Sequence, residues 1–269
     1  MRLVITNSNL GKWACEYVKE KVSKHNVSCE TNFVLGLPTG GTALDMYKNF
    51  VDAYKKQQLS FKNITTFNMD EYIGLPKDHS QSYYTFMQEN LFKHVDINQN
   101  NVNIPDGNAK NIKQECQEYE EKITKAGGID LFIGGVGENG HIAFNEPYSS
   151  LSSKTRDKEL NKNTILANSR FFDNNLSLVP TSAITVGIDT LLQSREVMIL
   201  VSGVKKAQAL QQCIEGAVSH LWPISVLQFH KKAIIVADEE ACSELKVKTY
   251  KYFKDLEDEY SHIEKLCQK

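Results

Sequence analysis

Apolar residues follow two rhythms along this chain. Short unbroken runs, such as 33–37, 197–201 and 233–237, are separated by longer stretches where apolar residues recur every three or four positions. The first rhythm predicts strands buried on both faces, and the second predicts amphipathic helices. Strands are expected at 2–6, 33–37, 64–69, 129–134, 197–201 and 233–237. Helical stripes run through Leu10, Trp13, Ala14, Val18 and Val22, then through Leu44, Tyr47, Phe50, Val51 and Tyr54. Further helices are expected near 80–94, 113–125, 180–192, 205–218 and 243–260, with a loop at 98–108. Alternating strands and helices without a repeat or linker predict one α/β domain over 1–269: a doubly wound, mostly parallel sheet with helices on both faces. The polar stretch 148–183 breaks this rhythm and is the expected mobile excursion, a lid and its approaches.

Composition narrows the function. The 269 residues carry 31 Lys and Arg against 33 Asp and Glu, a net charge of −2, with no basic tract to track nucleic acid. Six cysteines stand at 15, 29, 116, 213, 242 and 267 without a C-x-x-C pair, so neither a zinc site nor a redox motif is signalled. The first residues are too short for a signal core and no apolar run is long enough to span a bilayer. A cytoplasmic protein without membrane attachment is expected.

Chemistry concentrates at the predicted strand ends. Residues 130–147 read DLFIGGVGENGHIAFNEP, and Gly135, Gly137 and Gly140 form G-x-G-x-x-G. A dinucleotide fingerprint needs a helix next, but Pro147 would break one within two turns. The loop instead presents Asn139, His141 and Glu146, and a histidine oriented by a carboxylate is a common acid/base device. The stretch after the second strand, Pro38-Thr-Gly-Gly-Thr42, is a strand–glycine–helix turn; such turns bind phosphate, or serve as ordinary turns with a threonine cap. Asp70 and Glu71 close the third strand, and as neighbours in an extended chain they point apart, leaving Asp70 as a candidate general base. Arg170 and Lys206 are candidate anion clamps. No histidine pair has metal-ligand spacing.

These segments resemble glucosamine-6-phosphate deaminase. Leu37-Pro-Thr-Gly-Gly-Thr42, Thr66-Phe-Asn-Met-Asp-Glu-Tyr72, Gly134-Gly-Val-Gly137 and Gly140-His-Ile-Ala-Phe-Asn-Glu-Pro147 carry the resemblance, with Ala167-Asn-Ser-Arg-Phe-Phe-Asp173 and Glu244-Leu-Lys-Val-Lys-Thr249. The likeness runs collinearly over nearly the whole chain. It implies conversion of D-glucosamine 6-phosphate and water to D-fructose 6-phosphate and ammonia, with no cofactor and no metal. It implies that Gly40, Gly41, Thr42, Arg170 and Lys206 hold the substrate phosphate. His141, oriented by Glu146 and Asn139, would open the sugar ring, and Asp70 would carry the C2 proton toward C1. Members of the family are commonly hexamers and some are monomers, so a homo-oligomer is expected. Other readings are a 6-phosphogluconolactonase of related fold and a non-catalytic sugar-phosphate-binding regulator.

Two departures carry expectations. Asn139 stands where well-known members have Asp, and should still orient His141. Around the family's regulatory site, Ser149, Arg156, Lys158 and Tyr252 are kept, but Glu159 replaces Thr. Its carboxylate is expected to repel the activator's phosphate and to compete for Arg156 and Lys158, which predicts weak or absent activation by N-acetylglucosamine 6-phosphate.

Overall fold

Successive residues of a strand face opposite sides, and in this chain both sides are apolar. Phe33, Leu35 and Leu37 join one core layer, while Val34 joins the other. That is why the strands read as unbroken apolar runs. The computed structural model describes residues 1–28, 31–256 and 260–268. Cys29 lies outside the described residues.

Among the described residues ten strands appear in chain order: β1 (Arg2–Ile5), β2 (Phe33–Leu37), β3 (Ile64–Asn68), β4 (Asp70–Tyr72), β5 (Val102–Asn103), β6 (Leu131–Gly135), β7 (Arg156–Glu159), β8 (Ser182–Thr185), β9 (Glu196–Val201) and β10 (Ala233–Ala237). The helices are α1 (Leu10–Ser28), α2 (Gly41–Lys55), α3 (Tyr83–Asn90), α4 (Ile112–Lys125), α5 (Lys162–Ser169), α6 (Ile188–Leu192), α7 (Ala207–Ile214), α8 (Val247–Asp255) and α9 (Ser261–Cys267). The main sheet has seven strands in the order β1-β10-β9-β6-β2-β3-β5, all parallel. Trp13, Val18, Met46, Tyr47, Phe50 and Ile263, from α1, α2 and α9, fill one face. Tyr119, Ile123, Ala209, Leu210 and Cys213, from α4 and α7, fill the other. The doubly wound parallel sheet expected from the sequence is what the chain forms.

The strand order locates a crevice. From β2 the chain proceeds outward through β3 to β5; from β6, the neighbour of β2, it proceeds the other way through β9 to β10. The connections leaving the carboxyl ends of β2 and β6 therefore diverge, and ligands of open α/β sheets bind where this happens.

Three expectations need correction. Residues 180–192 are not one helix: β8 is the central strand of a second, antiparallel sheet ordered β4-β8-β7, and only Ile188–Leu192 is helical. Ala183, Ile184, Thr185 and Val186 are all buried, and a short buried run cannot be told from helix by period. Gly187 ends it, where a Cβ would lie 1.9 Å from the Ser153 carbonyl oxygen. Leu44 is 42% exposed, because the buried face of α2 is phased on Ala43, Met46, Tyr47 and Phe50. The closing helix begins only at Val247 and ends at Asp255, with α9 following; residues 257–259 of the expected helix lie outside the described residues. The excursion at 148–183 contains β7, α5 and a 3-10 turn at Leu176–Leu178.

Candidate active site

The turn after β2 is built to expose backbone N–H groups. Gly40 has φ +100°, a conformation open to glycine, and precedes the first turn of α2. No side chain caps this helix and its first turn has no acid, so the threonine-capped alternative does not occur. A Cβ at Gly40 or Gly41 would meet nothing within 4 Å. Unsatisfied N–H groups, open space and the positive end of a fifteen-residue helix suit a phosphate group, with the exposed Thr42 hydroxyl alongside.

Asp70 lies just beyond the end of β3. The chain leaves the main sheet at Met69, whose N–H donates to the Leu37 carbonyl (3.1 Å) and whose carbonyl accepts from Val186 (2.8 Å). Asp70 is thereby carried to the carboxyl end of the sheet. It is buried, and its Oδ1 has no hydrogen-bond partner in the protein. Burial, helped by the Glu71 carboxylate, pushes its pKa up to about 8. Glu71 points elsewhere, as strand geometry predicts. It accepts from the N–H groups of Tyr72 (2.9 Å), Tyr83 (2.9 Å) and Tyr84 (2.8 Å), anchoring the start of α3. The two acids thus have different jobs: one is satisfied, the other is left with an unmet oxygen.

The loop after β6 carries Asn139, His141 and Glu146. No helix follows the glycines, which excludes the dinucleotide turn. Gly137 allows the His141 ring to lie on the backbone, since a Cβ there would sit 2.1 Å from the imidazole. Gly140, at φ +80°, packs against Trp222. His141 Nδ1 meets Asn139 Oδ1 at 2.7 Å, and Asn139 Nδ2 donates to Glu146 Oε2 at 2.7 Å. With the amide in this orientation Nδ1 carries the proton and Nε2 is the basic nitrogen. Glu146 Oε1 is 3.6 Å from Nδ1. Burial lowers the His141 pKa, against the pull of Glu146 and with the push of Lys206. The loop's far end is pinned to β8 and the residue after it, through Phe144 N–H to Thr185 Oγ1 (3.1 Å) and Asn145 Nδ2 to the Val186 carbonyl (2.8 Å).

Lys206 ends the 3-10 turn between β9 and α7. Asp238 pins that turn, accepting from Ser202 Oγ (2.6 Å) and from Gly203 N–H (3.0 Å). Burial lowers the Lys206 pKa; Glu138 raises it, while Arg170 and Lys205 lower it further. Lys206 therefore feels both His141 and Arg170. Arg170 stands at the end of α5 with its guanidinium 4.7 Å from the Phe171 ring centroid. Among the described residues neither cation forms an ion pair. The sheet topology brings the Gly40–Thr42 turn, Asp70, the His141 loop and Lys206 to one edge.

The expected regulatory set is divided. Ser149 is buried with its Oγ unpartnered, and β7 holds Arg156 and Lys158 half-buried. Glu159 is on the opposite face of β7 from both and is exposed; no ion pair joins it to either among the described residues. Direct competition by its carboxylate for Arg156 and Lys158 is therefore corrected, because strand alternation turns it away. Tyr252 is 62% exposed on α8, which packs on β1 at the main sheet's edge, whereas the other four belong to the small sheet and the loop leading to it.

Sequence reasoning missed Thr164, Asn168 and Tyr72. Thr164 Oγ1 donates to Glu146 Oε1 (2.7 Å), and Asn168 Nδ2 donates to the Tyr72 hydroxyl (2.9 Å). The signal available was a polar pair four residues apart on a predicted excursion. Among the described residues no three His, Cys, Asp or Glu side chains group so as to hold a metal ion, and no helix is long and apolar enough to cross a membrane.

Residues 6–236 match the family model described as glucosamine-6-phosphate isomerases/6-phosphogluconolactonase. The chain is 55% identical to a glucosamine-6-phosphate deaminase of Fusobacterium nucleatum over 269 residues, covering 100% of this chain and 98% of the relative. It is also 55% identical to one of Bacteroides fragilis over 270 residues, covering 100% of both. A solved monomeric glucosamine-6-phosphate deaminase superposes with a TM-score of 0.85 at 36% identity, over 90% of this chain and 99% of that one. A 6-phosphogluconolactonase from Thermotoga maritima shares the fold at TM-score 0.70 and 21% identity, over 88% of this chain and 99% of that one. On the breadth of these matches, the chain belongs to the family of glucosamine-6-phosphate isomerases and 6-phosphogluconolactonases.

Proposed function

We propose that the chain converts D-glucosamine 6-phosphate and water to D-fructose 6-phosphate and ammonia. The observation that carries this reading is Asp70: a buried carboxyl with an unmet oxygen at the crevice edge, near the phosphate turn. Removing a proton from carbon needs such a base, shielded from water. The Gly40–Thr42 turn, Arg170 and Lys206 hold the phosphate. His141 Nε2 exchanges the proton that opens the ring, while Asn139 and Glu146 keep Nδ1 protonated. Asp70 then takes the C2 proton, forming an enolamine, and returns it to C1 to give an imine at C2. Water adds at C2 and ammonia leaves. The substrate's ammonium entering beside Asp70 favours the ionised carboxyl that the reaction requires.

A lactonase breaks a C–O bond and has no C–H proton to move, and a regulator needs the phosphate clamp alone. Asp70 and the relay together favour the deaminase. Ammonia release from glucosamine 6-phosphate, beside hydrolysis of 6-phosphogluconolactone, tests it: lactone turnover without ammonia, or neither, rejects the assignment. On this reading the protein works in the cytoplasm, and 148–183 acts as a lid. The separation of Tyr252 from β7 suits a regulatory site completed by a second subunit of a homo-oligomer, such as a hexamer. With a Glu159 charge nearby, activation by N-acetylglucosamine 6-phosphate is proposed to be weak or absent, through longer-range repulsion only.

A further inference from the structure

Glu146 has two carboxylate oxygens and a donor on each. Asn139, from its own loop, occupies Oε2; Thr164, on α5, occupies Oε1 at 2.7 Å. Asn168 lies four residues after Thr164, hence on the same face of α5, and reaches Tyr72, two residues from Asp70. Phe172, just past α5, packs on the Tyr72 ring with centroids 6.1 Å apart. One face of α5 is thus stitched to both proton-carrying parts of the site, and Arg170 stands at its end.

We infer that Thr164 is a positioning residue for ring opening: its hydroxyl holds the Glu146 carboxylate back from His141 and so ties the seating of α5 to the state of the imidazole. The inference deepens the proposed function and rests on it for its kinetic part. At 3.6 Å, Oε1 is too far from Nδ1 for a hydrogen bond, and Nδ1 is already held by Asn139 at 2.7 Å. Without the Thr164 hydroxyl, a carboxylate oxygen on a residue only 8% exposed loses its donor. The nearest other donor within the relay is His141 Nδ1–H. Glu146 turns toward it, its charge is no longer shared with α5, and the imidazole holds a proton more firmly. The charged groups facing His141 are Glu146 from its own loop and Lys206 from the turn before α7. Only Glu146 is moved by this change.

The test is His141 titration by NMR in the protein without substrate, alongside steady-state kinetics, for Thr164→Val, Thr164→Ser and Asn168→Ala. Thr164→Val should raise the His141 pKa by roughly half a unit or more and lower kcat on the order of tenfold with little change in KM. Thr164→Ser should restore both. Asn168→Ala removes the contact of α5 with Tyr72 while leaving the Thr164–Glu146 hydrogen bond in place, and should leave the titration unmoved. An unchanged or lowered His141 pKa in Thr164→Val, or failure of Ser to rescue, overturns the inference. The titration uses no substrate, so absent ammonia release would reject the activity while leaving Thr164 to be judged on its own.

Discussion

The main sheet carries a buried acid at each end, and the two are treated oppositely. At the amino end, Glu196 accepts from the Tyr17 hydroxyl at 2.6 Å and from Lys21 at 2.7 Å, with Lys232 at 3.6 Å. Burial would raise its pKa, but these partners outweigh it and hold the pKa below the usual value. At the carboxyl end, Asp70 has an unmet oxygen and a pKa pushed up to about 8. The cations divide the same way: Lys21 and Lys232 are paired, while Arg170 and Lys206 form no ion pair among the described residues. The amino end is finished as structure. The carboxyl end keeps a buried acid with an unmet oxygen and two cations without ion pairs among the described residues, the kind of perturbed cluster that marks a candidate site.

Asp70→Asn should give the largest effect. The amide keeps the shape but cannot accept a proton, so turnover should fall by about 10²–10⁴-fold or more. Phosphate binding, measured by calorimetry, should be nearly unchanged; near-normal turnover would remove Asp70 from the mechanism. In the parent, kcat/KM should rise with pH through a value near 8, the ionisation of Asp70. Stability should run the other way. Between its ordinary 3.8 and about 8, folded Asp70 keeps a proton that the unfolded chain releases, so the parent loses stability as pH rises across that window. Asp70→Asn escapes the loss. Its Tm should exceed the parent's by several degrees at pH 9, and the gap should shrink toward pH 4. Equal Tm differences at both pH values would mean Asp70 is not strained by its burial.

Arg170→Ala and Lys206→Ala should come next. Each removes a charge-assisted hydrogen bond of about 1.5–3 kcal/mol to a phosphate dianion, which corresponds to roughly ten- to hundredfold in KM. Added salt should weaken substrate binding in the parent more than in either variant. If calorimetry finds phosphate affinity unaltered in both, the carboxyl end does not use these cations as a clamp.

Legibility followed the same division. The parallel sheet was readable because both faces of β2, β9 and β10 are apolar, and the strand-end position of the candidate site residues was readable because glycines and acids collect at predicted strand ends. The antiparallel sheet was not, since β4 is three residues long and β8 looks like a buried helix turn until Gly187 is seen against Ser153. The orientation of Glu159 was hidden because nothing predicted β7 as a strand. Glu196 and Thr164 were hidden for a common reason. Tyr17 and Glu196 are 179 residues apart in sequence, and Thr164 meets Glu146 across 18. Local patterning does not record such pairings.

Glu196→Ala tests the finished end. It removes the hydrogen bond from the buried Tyr17 hydroxyl to a carboxylate, costing about 1.5–3 kcal/mol, while the partly exposed Lys21 and Lys232 return to water. Chemical denaturation should show that loss with kcat unchanged. Because the folded pKa of Glu196 is depressed, its contribution should be present above pH 4.5 and vanish as pH falls through the folded value. A large fall in kcat at full folding would blur the distinction between the two ends.

The smallest expected effect concerns Asn139, the one neutral member of the relay. Its carbonyl accepts from His141 Nδ1 and its amide donates to Glu146, so it orients both neighbours while adding no charge. His141 then has Glu146 alone to support its protonated form, against burial and Lys206, and its pKa stays low. Asn139→Asp places a second carboxylate 2.7 Å from the Glu146 oxygen. Two anions so close share a proton or move apart, and in either case some extra negative charge reaches the imidazole. The His141 pKa should rise, by about one unit or less, and the basic Nε2 should be available for ring opening only at higher pH. NMR titration of His141 in both proteins measures the shift. An equal or lower value in the Asp variant would mean that Asn139 does not face the imidazole in solution, and the carboxyl end would then lose its neutral bridge between His141 and Glu146.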